Sequence, residues 1–192
     1  VHKYEGTINQ FTGDGVMALF GAPVAHEDHA KRACHAALAI QYSMREYERK
    51  IEKECGCDFR MRIGLNSGPV IVGAIGDNLR MDYTAIGDTT NLAARMEKAA
   101  RPGCILISEH THTIVKEYFD IESHGVVTLK GKSEGQIAYR LCGRGGADTR
   151  IEASAAKGLA KFVGRKNSMA LMLTALEKAK AGSGQIAGII GE

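Results

Sequence analysis

The sequence has no long hydrophobic run, no strong net charge and no paired set of cysteines. Its apolar runs are short, such as Val16 to Phe20, whereas a membrane helix needs about 20 apolar residues, so no membrane segment is expected in this stretch. A net charge of +3, without a basic stripe interleaved with aromatic residues, gives no indication of a nucleic-acid partner. Five scattered cysteines, an odd number, favour a reducing compartment over a disulfide framework, and we expect a cytoplasmic protein.

The composition is that of an ordinary soluble globular protein. Of the 192 residues, 44% are hydrophobic and 24% are charged. At about 100–200 residues per domain, this length allows one full domain and a remainder. The chain starts at Val1 without a methionine and stops at Gly191-Glu192, directly after an apolar segment. We therefore expect an interior fragment of a longer protein.

The order of the predicted elements indicates a mixed α/β fold. Gly13-Asp14-Gly15 between two apolar runs, Thr7–Phe11 and Val16–Phe20, predicts a β-hairpin. Apolar residues at helical spacing predict a long helix from Glu27 to about Glu54, which Gly56 ends. Strands are predicted over Arg60–Asn66, Pro69–Ile75, Arg80–Ile86, Cys104–Ser108, Phe119–Leu129 and Gln136–Cys142, and a short helix over Glu109–Glu117. This order is typical of an α+β sandwich, a sheet covered by helices.

The stretch from Arg80 to Met96 predicts a strand, a tight break at Gly87-Asp88 and then a helix. On that helix Asn91 and Arg95 are four residues apart, so they share one face. An amide and a guanidinium at the start of a helix can bind an oxyanion or a phosphate. On spacing alone, a solvated surface pair remains the alternative.

The string G-D-x-x-N-x-A-x-R in this stretch resembles the signature of the class III adenylate and guanylate cyclases. The resemblance extends through three further motifs in the same order. These are Phe11-Thr12-Gly13-Asp14-Gly15, Arg62-Ile63-Gly64-Leu65-Asn66-Ser67-Gly68 and Leu129-Lys130-Gly131. It implies a ferredoxin-like nucleotide cyclase catalytic domain over residues 1–142, incomplete at its N-terminus because the first strand and its helices are missing.

The resemblance implies an adenylate cyclase, a phosphorus–oxygen lyase of intracellular signalling that converts ATP to 3′,5′-cyclic AMP and pyrophosphate. Arg95 would stabilise the phosphate charge of the transition state, Asn91 would hold the ribose, and Lys130 would bind the triphosphate. Asp14 would bridge two Mg²⁺ or Mn²⁺ ions. On the residues alone, Asp14 could equally be present because Asp-Gly favours a turn, and Lys130 could be a lysine in a turn without a role in binding.

In this family the active site is shared across a head-to-tail homodimer. The metal residues come from one protomer, and the asparagine and arginine come from the other. The family's second metal aspartate sits on an upstream strand that this chain lacks. We therefore expect residues 1–192 alone to be inactive.

The base-selecting positions depart from the family pattern. Adenylate cyclases commonly have lysine and aspartate where this chain has Gln10 and Thr84, and guanylate cyclases favour glutamate and cysteine there. The Gln10 amide can both donate and accept, as an adenine edge requires, which favours ATP. The alternatives are a guanylate cyclase and a catalytically silent cyclase-like regulatory domain of a signalling ATPase.

A loop of small and polar residues follows the cyclase-like region, and we interpret residues 143–160 as a linker. Residues 161–192 resemble the start of a P-loop ATPase module of the AAA or signal-transduction (STAND) type. They predict a helix over Lys166–Ala181 and a strand over Gln185–Ile190, and Gly191-Glu192 would open the phosphate loop. A generic helix–strand pair is the alternative.

Overall fold

The computed structural model describes residues 1–75, 82–86, 88–127, 135–146, 152 and 164–188. Contacts along the chain define two compact units, Val1–Ala153 and Ser154–Glu192. The strands described below, and all of the candidate catalytic residues, belong to the first unit.

The first unit opens with the predicted hairpin, which the structure confirms. Strand β1, Gly6–Thr12, pairs antiparallel with β2, Gly15–Phe20. Gly13 has a φ of +66°, a backbone conformation that favours glycine, and this allows the two-residue turn. The register shifts between Ile8 and Gln10, so β1 carries a bulge there.

Helix α1, His29–Cys55, follows the hairpin and begins two residues later than predicted. Gly56 ends it, as expected, with a φ of +66° and with its N–H donating to the Glu52 carbonyl at 2.9 Å. Only the first half of α1 contributes buried apolar residues, and Tyr47, which lies on the helical repeat of apolar residues, is 60% exposed. The buried position in the second half of α1 is instead Glu48, which pairs with Arg60 at 3.1 Å.

A four-stranded sheet forms the centre of the unit, in the order β3-β6-β8-β7. The strands are β3 (Ile63–Leu65), β6 (Ile105–Ser108), β7 (Phe119–Val127) and β8 (Gln136–Arg144). The β3–β6 pair is parallel, whereas β6–β8 and β7–β8 are antiparallel. Strand β3 is shorter than the predicted Arg60–Asn66, and β8 runs two residues beyond the predicted Cys142.

Helices cover both faces of this sheet, as the predicted sandwich requires. All four residues of β6 are buried. Ile105 and Ile107 pack with the α1 residues Ala30 and Cys34. Leu106, on the opposite face, packs with Met96 of helix α2, which spans Asp88–Ala99. Helix α3, Glu109–Val115, adds Val115 to the first cluster. The mixed α+β fold is therefore confirmed.

Strands β4, Ile71–Ile75, and β5, Asp82–Ile86, form a second antiparallel pair. Strand β5 lies beside β1 of the hairpin, and it also contacts helix α2, Asp88–Ala99. The predicted helix start at Asp88 is confirmed. The first unit thus places β5 next to both of the elements that carry candidate site residues.

The second unit contains helix α4, Lys166–Lys180, within one residue of the prediction. The predicted strand over Gln185–Ile190 is wrong for its described part, because residues 185–188 have no strand structure. A strand needs a neighbour for its backbone hydrogen bonds, and residues 164–188 provide none. Residues 189–192, including the start of the expected phosphate loop, lie outside the described residues.

Candidate active site

Helix α2 carries Asn91 and Arg95, the residues predicted to hold the ribose and to stabilise the phosphate charge of the transition state. Asn91 is exposed and Arg95 is half-buried, so neither side chain lies in the core. Within the described part of the chain, neither makes a hydrogen bond or an ion pair. Arg32, Arg60 and Arg140, in contrast, are each paired with a carboxylate. The amide and the guanidinium are therefore available to a ligand.

The position of α2 depends on a glycine in the strand beneath it. A Cβ atom on Gly64 of β3 would lie 2.1 Å from the Glu97 nitrogen and 2.3 Å from the Ala93 oxygen. Both are backbone atoms of α2, so the helix lies directly on the β3 backbone. Any larger residue at position 64 would push α2 away from the sheet.

The first turn of α2 is held by the loop that follows β3. The Asn66 side-chain amide donates to the Thr89 carbonyl at 2.9 Å, and the Thr89 hydroxyl donates to the Pro69 carbonyl at 2.7 Å. Gly68 allows this approach, because a Cβ atom there would lie 2.7 Å from the Thr89 hydroxyl oxygen. Thr89 therefore binds the loop through both its carbonyl and its hydroxyl.

The hairpin carries Gln10 and Asp14, the predicted base-reading and metal-binding residues. Asp14 lies at the hairpin tip and Gln10 follows the bulge in β1, and both side chains are exposed. Neither makes a hydrogen bond or an ion pair within the described residues. A bulge can redirect the side chain that follows it, and this one directly precedes Gln10.

Ion pairs connect the base of the hairpin to the start of α1. Glu5, directly before β1, accepts a hydrogen bond from Arg32 at 2.6 Å, and His26 lies 3.3 Å from the same carboxylate oxygen. Arg32 also donates to Asp28, and this hydrogen bond lowers the pKa of the Asp28 carboxyl. These pairs are partly exposed, so each is weak, but they link the residue before β1 to the start of α1.

Of the remaining two candidates, Thr84 is described only in its backbone, and Lys130 lies outside the described residues. The backbone of Thr84 pairs with Gly73 in the β4–β5 ladder, but its side chain is outside the described residues. Lys130 belongs to residues 128–134, which also lie outside them. Gln10 and Thr84 belong to neighbouring strands, since β1 lies beside β5. The structure therefore places the two strands that carry the predicted base-selecting residues next to each other.

Asp14 is the one residue of this chain that was predicted to bind the divalent metal ions. Within the described part of the chain, no cluster of three or more His, Cys, Asp or Glu residues could hold a metal ion. Mg²⁺, however, commonly binds through one or two carboxylates together with substrate phosphates. An exposed aspartate without a protein partner fits that role as one ligand, and the other ligands would come from elsewhere.

Sequence analysis identified the Arg62–Gly68 motif but gave it no role. The structure assigns two functions to it, the close packing of α2 on Gly64 and the binding of Thr89 by Asn66. A glycine inside an apolar strand was the available signal, since such a glycine often marks a close backbone approach. No comparable signal pointed to Asn66.

Solved nucleotide cyclase domains share this fold. The crystal structure of the adenylyl cyclase CyaB from P. aeruginosa matches with a TM-score of 0.67 and 34% identity, over 73% of this chain and 74% of that chain. The described helices contain none that is long and apolar enough to cross a membrane. The fold and the site together define a cyclase-like catalytic domain.

Residues 6–143 match the family described as the adenylate and guanylate cyclase catalytic domain, and the chain belongs to this family. It is 34% identical over 145 residues to adenylate cyclase 1 of Rhizobium meliloti (strain 1021), covering 74% of this chain and 22% of that protein. It is also 34% identical over 128 residues to soluble guanylate cyclase 89Da of Drosophila melanogaster, covering 66% of this chain and 18% of that protein. The chain spans about a fifth of the length of these relatives.

Proposed function

We infer that this domain closes ATP to 3′,5′-cyclic AMP with release of pyrophosphate, at an interface between two copies of the chain. The observation that carries this proposal is the Asn91–Arg95 pair on one face of α2, outside the core and without partners among the described residues. The family supplies the cyclase chemistry. The choice of ATP and the dimeric site are proposals.

In the proposed mechanism, Arg95 places two N–H donors against phosphate oxygens as negative charge moves toward the departing pyrophosphate. Asn91, one turn earlier on the same face, hydrogen-bonds the ribose and aligns its 3′-hydroxyl with the α-phosphorus. Phosphoryl transfer depends mainly on such positioning and charge stabilisation. Loss of one preorganised donor of this kind costs on the order of 100- to 1000-fold in rate.

Asp14 would supply a carboxylate ligand for two divalent ions, which when bound would acidify the 3′-hydroxyl and offset triphosphate charge. The exposed position of Asp14 at the hairpin tip supports this role. Lys130 would bind the triphosphate from the following motif. Both assignments rest on the resemblance of these motifs to the family.

Gln10 is compatible with ATP, because its amide can donate to and accept from an adenine edge. ATP is favoured because Gln10 and Thr84 replace the glutamate and cysteine that guanylate cyclases favour. The similar proteins include both adenylate and guanylate cyclases, so GTP is the second candidate. To decide, we would incubate the intact protein with ATP or GTP at equal concentration and measure cyclic AMP and cyclic GMP. A higher kcat/KM for GTP would overturn the adenylate assignment, and no product from either would favour the silent-domain alternative.

The exposed surface near the hairpin supports a site shared between two protomers. Phe11 on β1 is 77% exposed and Ile71 on β4 is 78% exposed, and exposed apolar side chains of this size commonly mark protein interfaces. The hairpin contacts β5 and α1, whereas α2 contacts β3, β5 and β6. A head-to-tail dimer would bring Asp14 of one copy to Asn91 and Arg95 of the other.

Mixing two inactive variants tests this arrangement. Asp14→Ala and Arg95→Ala should each be inactive alone, because each removes a necessary group from both sites of a homodimer. A mixed dimer would carry one site with both groups intact, so mixing should restore cyclic AMP synthesis. If each site were built within one chain, the mixture would remain as inactive as the separate variants.

The second unit supports the proposal of a downstream ATPase module in a limited way. Leu171, Leu173 and Leu176 of α4 are 72%, 56% and 49% exposed, and a helix with such a surface usually packs against another element. Limited proteolysis of the intact protein should cut within residues 143–160 and release two stable parts. ATP hydrolysis that survives Asp14→Ala would show a separate ATPase.

A cytoplasmic location is also proposed. All five cysteines are free thiols, which supports a reducing compartment. Fractionation of cells that express the intact protein would test it.

A further inference from the structure

A chain of side-chain hydrogen bonds runs from the first turn of α2 to the start of α3. Asn66 lies at its centre, because its amide N–H donates to the Thr89 carbonyl at 2.9 Å and its amide oxygen accepts from the Ser108 hydroxyl at 2.6 Å. Asn66 is therefore bonded through both ends of its side chain. Its two partners belong to different elements, since Thr89 is in α2 and Ser108 caps α3.

The α3 end of this network is rigid. Ser108 is 4% exposed and Thr111 is 1% exposed, and the Thr111 backbone N–H donates to the Ser108 hydroxyl at 3.3 Å. The Thr111 hydroxyl also donates to the hydroxyl of Ser67 at 3.2 Å. A buried and fully bonded network keeps a fixed geometry, because breaking one bond leaves a polar group without a partner.

The α2 end lies close to the candidate catalytic residues. Thr89 precedes Asn91 by two residues and Arg95 by six, on the same helix. Displacement of its carbonyl therefore moves the start of the helix that carries both side chains. Asn66 makes no contact with the substrate in the proposed mechanism, so any effect on the reaction acts through α2.

We propose that Asn66 is a positioning residue, which holds the first turn of α2 against the buried α3 cap and so fixes Asn91 and Arg95 for the transition state. The inference rests on the proposed function of those two residues. A misplacement of about 1 Å can cost on the order of 100-fold in rate, so a single connecting side chain is sufficient to matter.

The main test compares Asn66→Ala with Ser67→Ala in the intact protein. Asn66→Ala should lower kcat by about 10- to 100-fold with KM within about twofold, because the aligned pair acts mainly on the transition state. Ser67→Ala removes a bond of the same network that does not reach α2, so kcat should stay within about twofold of wild type. Amide hydrogen exchange in the second turn of α2, whose N–H groups donate to the carbonyls of the first turn, should accelerate in Asn66→Ala only.

A second variant tests the hydrogen bond from Asn66 to Thr89 separately from the one that Asn66 accepts from Ser108. Asn66→Asp keeps an acceptor for Ser108 but places a carboxylate against the Thr89 carbonyl, where no donor remains. Its kcat should fall as in Asn66→Ala. As the pH is lowered, the protonated carboxyl regains an O–H donor, so the ratio of variant to wild-type kcat should rise. This pH-dependent rescue also decides the case if Asn66→Ala fails to fold.

Three outcomes overturn the proposal. They are a wild-type kcat in Asn66→Ala, an equal loss in Ser67→Ala, and a kcat ratio for Asn66→Asp that does not change with pH. Arg95→Ala provides the separate test of the proposed function. If Arg95→Ala is active, the proposed function fails; if it is inactive while Asn66→Ala is unaffected, only the positioning role fails.

Discussion

Replacing Gly64 by alanine should displace the helix that carries Asn91 and Arg95. The added methyl group would lie 2.1 Å from the Glu97 nitrogen and 2.3 Å from the Ala93 oxygen. Packed heavy atoms need about 3.5–4.0 Å, so α2 must move by more than about 1 Å. Both contacts are backbone atoms, so no side-chain rotation can relieve them.

The expected loss of activity exceeds the expected loss of stability. Overpacking of this kind costs about 1–3 kcal/mol, against about 5–15 kcal/mol of total stability in an ordinary domain. The lower entropy of the unfolded alanine chain offsets about 0.4–1 kcal/mol of that cost. A shift of about 1 Å at the catalytic pair can reduce the rate on the order of 100-fold. Gly64→Ala should therefore remain folded but be nearly inactive.

The assay is cyclic nucleotide synthesis by the intact protein, with a thermal melt and a circular dichroism spectrum of the same preparation. Gly146→Ala is the matched control, because apart from its chain neighbours no described residue has an atom within 4 Å of the added methyl group. The control should keep wild-type activity. Gly64→Ala with activity within about twofold of wild type would refute the reasoning, because α2 could then tolerate the displacement.

Three further predictions follow from single side chains. Asp14→Ala should leave less than about a tenth of divalent-dependent turnover, and Asp120→Ala, at another exposed aspartate, should leave it unchanged. Arg95→Ala should lower kcat on the order of 100- to 1000-fold, and Arg95→Lys should restore only part of it, since lysine cannot bind two oxygens in a fork. Cys34, whose pKa burial raises to about 12, should resist alkylation until the protein unfolds, as peptide mass spectrometry can show.

Local signals predicted several elements correctly. The hairpin follows from Gly13-Asp14-Gly15 between two apolar runs, and the end of α1 follows from Gly56. The start of α2 at Asp88 follows from the glycine break and the polar residues after it. These features depend on a few consecutive residues, so they can be recognised without knowledge of the rest of the fold.

The spacing of apolar residues gave wrong predictions where burial or strand pairing depends on a distant element. Tyr47 has the spacing of a core residue but is exposed, because the buried apolar cluster contacts only the first half of α1. The segment from Gln185 has the composition of a strand, yet its described part forms none, since no neighbouring strand pairs with it. Both cases depend on a partner element whose position the local sequence does not contain.

The family motifs, the order of the elements and the shared face of Asn91 and Arg95 can be read from consecutive residues. The contacts that hold this face in place arise from the tertiary packing. Gly64 is in contact with the Glu97 backbone. Asn66 binds Thr89, 23 residues further along the chain, and Ser108, 42 residues further along. Such contacts depend on how β3, α2 and β6 pack together, and that packing results from the burial of apolar side chains on both faces of one sheet.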